Sequence, residues 1–170
     1  MSASVVYTVG HSNHPVDAFV GLLRSHGIEA LVDVRTHPYS RFATQFNREP
    51  LKGALIEAGI RYLYLGGELG GRPTGSEYHD AEGRVLYDRL AVSPAFLDGI
   101  RRVEVGMTQF RLALMCSEED PNVCHRRLLI ARVLVERGVE VAHIRGDGRV
   151  ESESSVLRAD EVPSRLFAVG

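Results

Sequence analysis

Phe110-Arg111-Leu112-Ala113-Leu114-Met115-Cys116-Ser117-Glu118-Glu119-Asp120-Pro121 is the stretch whose reading decides the fold. Leu112 to Met115 is apolar without alternation, the pattern of a strand covered on both faces. It empties into Cys116-Ser117-Glu118-Glu119-Asp120, and Pro121 suits the first turn of a helix. That helix is expected to run to Gly138, and Val139-Glu140-Val141-Ala142-His143-Ile144 reads as the next strand. Strand, helix and strand in this order make a βαβ unit with parallel strands and a right-handed crossover.

The same alternation extends outward. Val5 to Val9 reads as a first strand ending in Gly10-His11-Ser12. Asn13 can cap and Pro15 can open a helix in which Phe19, Leu22, Leu23 and His26 share a face, and Gly27 stops it. Ala30 to Arg35 is a second strand, followed by a loop from Thr36 to Phe46 and a helix from near Asn47 to Gly59. Tyr62 to Leu65 is a third strand, running into Gly66-Gly67-Glu68-Leu69-Gly70-Gly71 and a polar segment to about Ser93. Pro94 opens a helix to about Val105. The expected fold is a single α/β three-layer domain over residues 1–150. Its sheet is mostly parallel, of Rossmann-like or flavodoxin-like type, with helices on both faces. Residues 151–170 are expected to form a partly ordered tail. The pattern does not contain the strand order.

Composition narrows the function classes. The 170 residues are 44% hydrophobic and 25% charged, which excludes a disordered chain, a collagen-like fibre and a coiled coil. No apolar run approaches the roughly 20 residues that span a bilayer, so no membrane association is expected. The N-terminus lacks the basic and apolar regions of a signal peptide, and a cytoplasmic protein is expected. A net charge of −2 gives no bulk argument for nucleic acid, so any such contact needs a local basic patch. Cys116 and Cys124 read as reactive thiols, metal ligands or core residues rather than a structural disulfide. With no CxxC or HxxxH pair, no metal and no cofactor are expected.

The unusual polar residues fall at strand ends, where open α/β sheets collect ligands. Cys124 stands near the expected helix start with His125 and Arg126 beside it, conditions that favour a thiolate. The spacing does not match a phosphatase or rhodanese loop. Glu118 is a candidate general base or carboxylate nucleophile, and Asp33 a second catalytic candidate or a buried partner of Arg35. His11 and Ser12 read as an acid–base or substrate-binding pair, or as a turn and cap. The loop from Arg35 to Arg48 interleaves Arg35, Arg41 and Arg48 with Tyr39, Phe42 and Phe46, a mixture suited to phosphate contact and base stacking. Tyr64 is a further stacking candidate. His143 reads as a core histidine.

Thr8-Val9-Gly10-His11-Ser12, Asp33-Val34-Arg35 with Pro38-Tyr39-Ser40-Arg41, Tyr62 to Gly71, and Cys116-Ser117-Glu118 with Cys124-His125-Arg126 and His143-Ile144 together resemble the domain of unknown function 488 family of prokaryotic proteins. The resemblance covers nearly the whole chain to about Ile144. It implies a small α/β domain with its motif residues on one rim, acting as an enzyme on nucleotides or nucleic acids. The positions matching its motifs are His11, Ser12, Arg35, Ser40, Arg41, Cys116, Glu118, Cys124, His125 and Arg126. The leading expectation is therefore a hydrolase or transferase for a nucleotide or single-stranded nucleic acid. In it, Arg35, Arg41 and Arg126 hold phosphate, Tyr39 or Tyr64 stacks on a base, and Glu118 or Cys124 carries the chemistry. A thiol-based redox or sensor protein using Cys116 and Cys124, and a non-catalytic binding module, are the alternatives. An open edge strand would admit a homodimer.

Overall fold

The apolar runs assemble into one six-stranded sheet of order β3-β2-β4-β1-β5-β6. Its strands are β1 (Val5–Gly10), β2 (Ala30–Asp33), β3 (Arg61–Tyr64), β4 (Leu112–Cys116), β5 (Glu140–Ile144) and β6 (Val150–Ser152). The first five are parallel, and β6 returns antiparallel to β5. The structure, a computed structural model, describes residues 4–154. The expected tail at 151–170 thus lies outside the described residues except for its first four positions, of which 151 and 152 belong to β6.

Alternate residues of each strand feed two apolar layers. On one face Tyr7, Val9, Leu31, Ala113 and Met115 pack with Phe19 and Leu23 of α1 (Val16–Ser25) and with Leu51 and Leu55 of α2 (Arg48–Glu57). On the other, Val6, Val32, Leu112 and Leu114 meet Phe96, Ile100 and Val103 of an amphipathic helix, Pro94–Met107. Leu129, Ile130, Ala131, Val133 and Leu134 complete that layer. Single turns at Gly66–Leu69 (α3) and Tyr87–Leu90 (α4) punctuate the polar segment, so the long helix is α5 and Arg132–Glu136 is α6. Ser93 caps α5 by accepting from Phe96 N, with Pro94 in the first turn. Gly27, Gly59 and Gly138 end their helices with positive φ, as expected from the sequence.

One feature adds to the sequence reading and one departs from it. First, β4 lies between β1 and β2, an order the pattern does not contain, whereas the Rossmann order keeps those two adjacent. The chain after β4 returns along one face while the chains after β1 and β2 return along the other, so the strand ends part around β4. Second, the helix expected from Pro121 to Gly138 is broken. A 3₁₀ turn at Pro121–Val123 stops at Cys124, which is extended (φ −122°, ψ 141°), and helical winding resumes as a π-helical segment, Arg126–Ala131, before α6. The Cys124 carbonyl accepts from Arg127 N and Leu128 N, so Cys124 occupies the cap position instead of the first turn.

A chain of buried polar groups crosses the sheet. Thr8 Oγ1 donates to His143 Nδ1 at 2.6 Å, and His143 Nε2 donates to Glu153, which also accepts from Arg127 Nε at 3.2 Å. His143 is fully buried and hydrogen-bonded, the core histidine the sequence suggested. Replacing Glu153 by Ala removes the acceptor that a buried arginine and histidine share. The expected loss is about 3–5 kcal/mol, read as a lower urea midpoint at unchanged m-value.

Candidate functional site

The parting of the chain around β4 opens a pocket of about 350 Å³ at the carboxyl ends of the strands. The segment after β2 contributes Arg35, His37, Tyr39 and Ser40. Gly71, Arg72 and Tyr87 come from the segments after β3. Cys116, Glu118, Cys124 and His125 come from β4 and the loop beyond it.

On this wall the Sγ atoms of Cys116 and Cys124 and a ring nitrogen of His125 lie within 4.8 Å of one another. They are the one group of this kind, among the described residues, close enough to hold a metal ion. His125 Nε2 donates to the Val34 carbonyl at 3.0 Å, which turns Nδ1 toward both sulfurs, at 3.6 Å from Cys116 and 3.9 Å from Cys124. The two thiols share a proton unequally. The Cys116 S–H supports a thiolate at Cys124, which is held well below the usual thiol range, with the Arg126 charge assisting against burial. The same contact, with burial, pushes Cys116 far up. Glu118 Oε2 stands 3.4 Å from Cys116 Sγ, on the exposed side.

Behind Arg35 lies a layer of buried hydrogen-bonded groups. Asp33, fully buried, accepts from Arg35 Nε at 2.9 Å and Nη2 at 2.8 Å, and from the Tyr62 hydroxyl at 2.6 Å. Arg35 Nη1 donates to His11 Nε2 at 3.2 Å, and His11 Nδ1 donates to the Ser12 carbonyl at 2.7 Å. The His11 ring stacks on Phe46 with centroids 4.6 Å apart. Burial, with the neighbouring Arg35 charge, lowers the His11 pKa to about 4. His11 is therefore a neutral acceptor at pH 7. Asp33 and His11 orient Arg35 and do not line the pocket.

Arg126, expected on phosphate, is fully buried and lies outside the pocket. Its Nε donates to Thr8 Oγ1 at 3.1 Å, Nη1 to the Glu118 carbonyl, and Nη2 to the Glu119 carbonyl at 2.9 Å. This arginine shapes the loop instead of meeting a ligand. The loop also passes so close to Gly10 that a Cβ there would sit 1.7 Å from the Glu118 carbonyl oxygen. Glu119 fastens the far side, accepting from Arg145 and from Gly146 N. Those bonds lower its pKa to about 2.

The remaining expected residues divide. Tyr39 and Ser40 line the pocket, Tyr39 exposed and Ser40 accepting from Phe42 N and Ala43 N to shape its own loop. Arg41 is exposed and outside the lining, and so is Ser12, at φ 47° with its N donating to the Ser117 carbonyl. Tyr64 turns away, donating to the Thr36 carbonyl under the Arg48 guanidinium. Sequence reasoning missed Arg72, His37 and Tyr87. For Arg72 a signal existed in the glycines just before it, a residue type that lets a backbone approach its neighbours closely. At Gly71 the backbone meets His125, whose Cγ would lie 2.7 Å from an added Cβ.

Two outcomes follow from this geometry. His11 is neutral when folded and has an ordinary pKa when unfolded, so its contribution is fully present above pH 6.5. It is lost as pH falls toward 4, by about 3 kcal/mol across that window. Urea unfolding at pH 7, 5.5 and 4 checks this, and His11→Gln should flatten that part of the profile while lowering stability throughout. Gly71→Ala should push the His125 ring out of place and cost about 1–3 kcal/mol in thermal unfolding.

Comparison with known proteins gives a family for the chain. No curated protein and no solved structure matches it. Residues 15–133 match the family described as Domain of unknown function DUF488, a span that takes in the loop after β2, the segments after β3 and the whole Cys116 to His125 group. That match covers more than half of the sequence, and the chain belongs to the DUF488 family.

Proposed function

We propose that the protein is an enzyme acting on a nucleotide or a single-stranded nucleic acid bound in the pocket at the strand ends. One observation carries this reading. A single pocket holds cations (Arg35, Arg72), aromatic rings (Tyr39, Tyr87) and a group able to do chemistry (Cys116, Cys124, His125, Glu118). Arg72 is the more available cation, because Arg35 is already paired with Asp33. Tyr39 is 66% exposed at the rim and Phe42 is 91% exposed on the same loop, surfaces suited to stacking on bases. Glu118, exposed in the pocket, is the general base for attack by water, which makes the reaction hydrolytic.

The test is binding and turnover of a panel of nucleosides, nucleotides and short single strands. Binding should weaken as salt rises, and Arg72→Ala and Tyr39→Ala should each cost roughly 10-fold in affinity. Glu118→Gln should abolish turnover while binding persists. Binding without turnover in the unaltered chain would make the protein a binding module. No binding at low salt would overturn the substrate class.

The proximity of the Cys116 and Cys124 sulfurs favours a second reading, a thiol pair that closes to a disulfide when an oxidant takes two electrons and two protons. Mild oxidation of the folded chain should then remove two hydrogens by mass, reversibly with dithiothreitol.

A further inference from the structure

We infer that Cys116, Cys124 and His125 form a Zn²⁺ site whose fourth position opens into the pocket. Around a tetrahedral zinc, with Zn–S near 2.3 Å and Zn–N near 2.0–2.1 Å, ligand atoms sit about 3.6 Å apart for S and N and about 3.8 Å for two sulfurs. The His125 nitrogen lies 3.6 Å and 3.9 Å from the two sulfurs, and all three atoms fall within 4.8 Å. The two sulfur–nitrogen separations are already close to those a metal would impose, and a small approach of the sulfurs closes the set.

The orientation of His125 is a second and independent observation. Its Nε2–H is engaged by the Val34 carbonyl at 3.0 Å, so Nδ1 presents a lone pair to the sulfurs. A ligating histidine is normally fixed in this way, its other nitrogen tied to a carbonyl or carboxylate. A nitrogen lone pair facing two sulfur atoms is a donor set that a soft cation completes. Arg126 is not that cation, because its donors engage Thr8 and the carbonyls of Glu118 and Glu119. Two thiolates and an imidazole suit Zn²⁺, whereas magnesium and calcium prefer oxygen.

All three donors line the pocket, which leaves the fourth position to water or substrate. Three protein ligands with one open position is the arrangement of catalytic rather than structural zinc. Glu118 Oε2, 3.4 Å from Cys116 Sγ but outside the donor group, is placed to take the proton of that water. The O–H bond breaks, the proton passes to the carboxylate and hydroxide stays on the metal. A Cys₂His zinc with an adjacent, non-ligating glutamate is the arrangement by which zinc deaminases attack nucleobases. This role for the ion rests on the enzymatic reading above, while the metal site itself does not.

The test uses the full chain, reduced and dialysed against Zn²⁺. Elemental analysis should give about one zinc per chain, and Co²⁺ in its place should show thiolate charge-transfer absorption and tetrahedral d–d bands. Cys116→Ser, Cys124→Ser and His125→Ala should each lose the metal, and Glu118→Gln should keep it. If the ligand variants fail to fold, the melting temperature of the unaltered chain decides. It should rise with Zn²⁺ and fall back with chelator. A reduced chain that takes up no zinc, or zinc retained by all three ligand variants, overturns the site. Zinc bound in a chain that recognises no nucleotide or strand would uphold the site and overturn the substrate class. Nucleotide turnover by a metal-free chain would uphold the substrate class and overturn the ion's role in the reaction.

Discussion

Arg126 is the largest fully buried side chain among the described residues, and its charge is met by the carbonyls of Glu118 and Glu119 and by Thr8 Oγ1 rather than by a carboxylate. A guanidinium out of water holds only while its hydrogen bonds are satisfied, so the loop after β4 must fold back over the end of β1 to supply them. That obligation accounts for Gly10, where any side chain would collide with the returning backbone. It also fixes the Cys116–Glu118 segment relative to the helix that begins at Cys124. Thr8 carries the constraint further, because the hydroxyl that accepts from Arg126 donates to His143 and so reaches Glu153 and Arg127.

The pocket has two layers with different tasks. Asp33, His11, Tyr62 and Arg126 are buried or half-buried groups whose hydrogen bonds hold other parts of the protein. Arg72, Tyr39, Glu118 and the cysteine–histidine group face the opening. The inner layer also sets charge. Asp33 offsets Arg35, and a neutral His11 adds none, so the field in the pocket is governed by Arg72, Glu118 and the protonation of the two sulfurs.

Much of this was legible from residue types and spacing. Leu112 to Met115 could be read as a two-sided strand, Gly27, Gly59 and Gly138 as helix stops, and the gathering of polar residues at strand ends as a site. Strand order was not, because it depends on which neighbour each strand finds and leaves no periodic trace. Cys124 is separated from Cys116 by a turn whose winding fails after Val123, and sequence spacing alone could not show that the break swings the two sulfurs together. The same limit misled the reading of Arg126. An arginine beside a cysteine at a helix start looks like an anion binder until burial shows that its donors are engaged. β6 escaped notice because Val150-Glu151-Ser152 is too short and polar for a pattern, and it forms only because β5 offers an open edge.

The strand order has a consequence for dissecting the molecule. Residues 15–133 contain β2, β3 and β4 but neither β1 nor β5, and β1 is the strand that pairs with β4 on its inner side. A fragment cut to the shared family segment would expose the long apolar edge of β4, together with an arginine whose hydroxyl partner had been removed. Such an edge recruits strands from other molecules. The segment by which the family is recognised is thus smaller than the unit that can fold, and fragments confined to it should aggregate rather than report on the site.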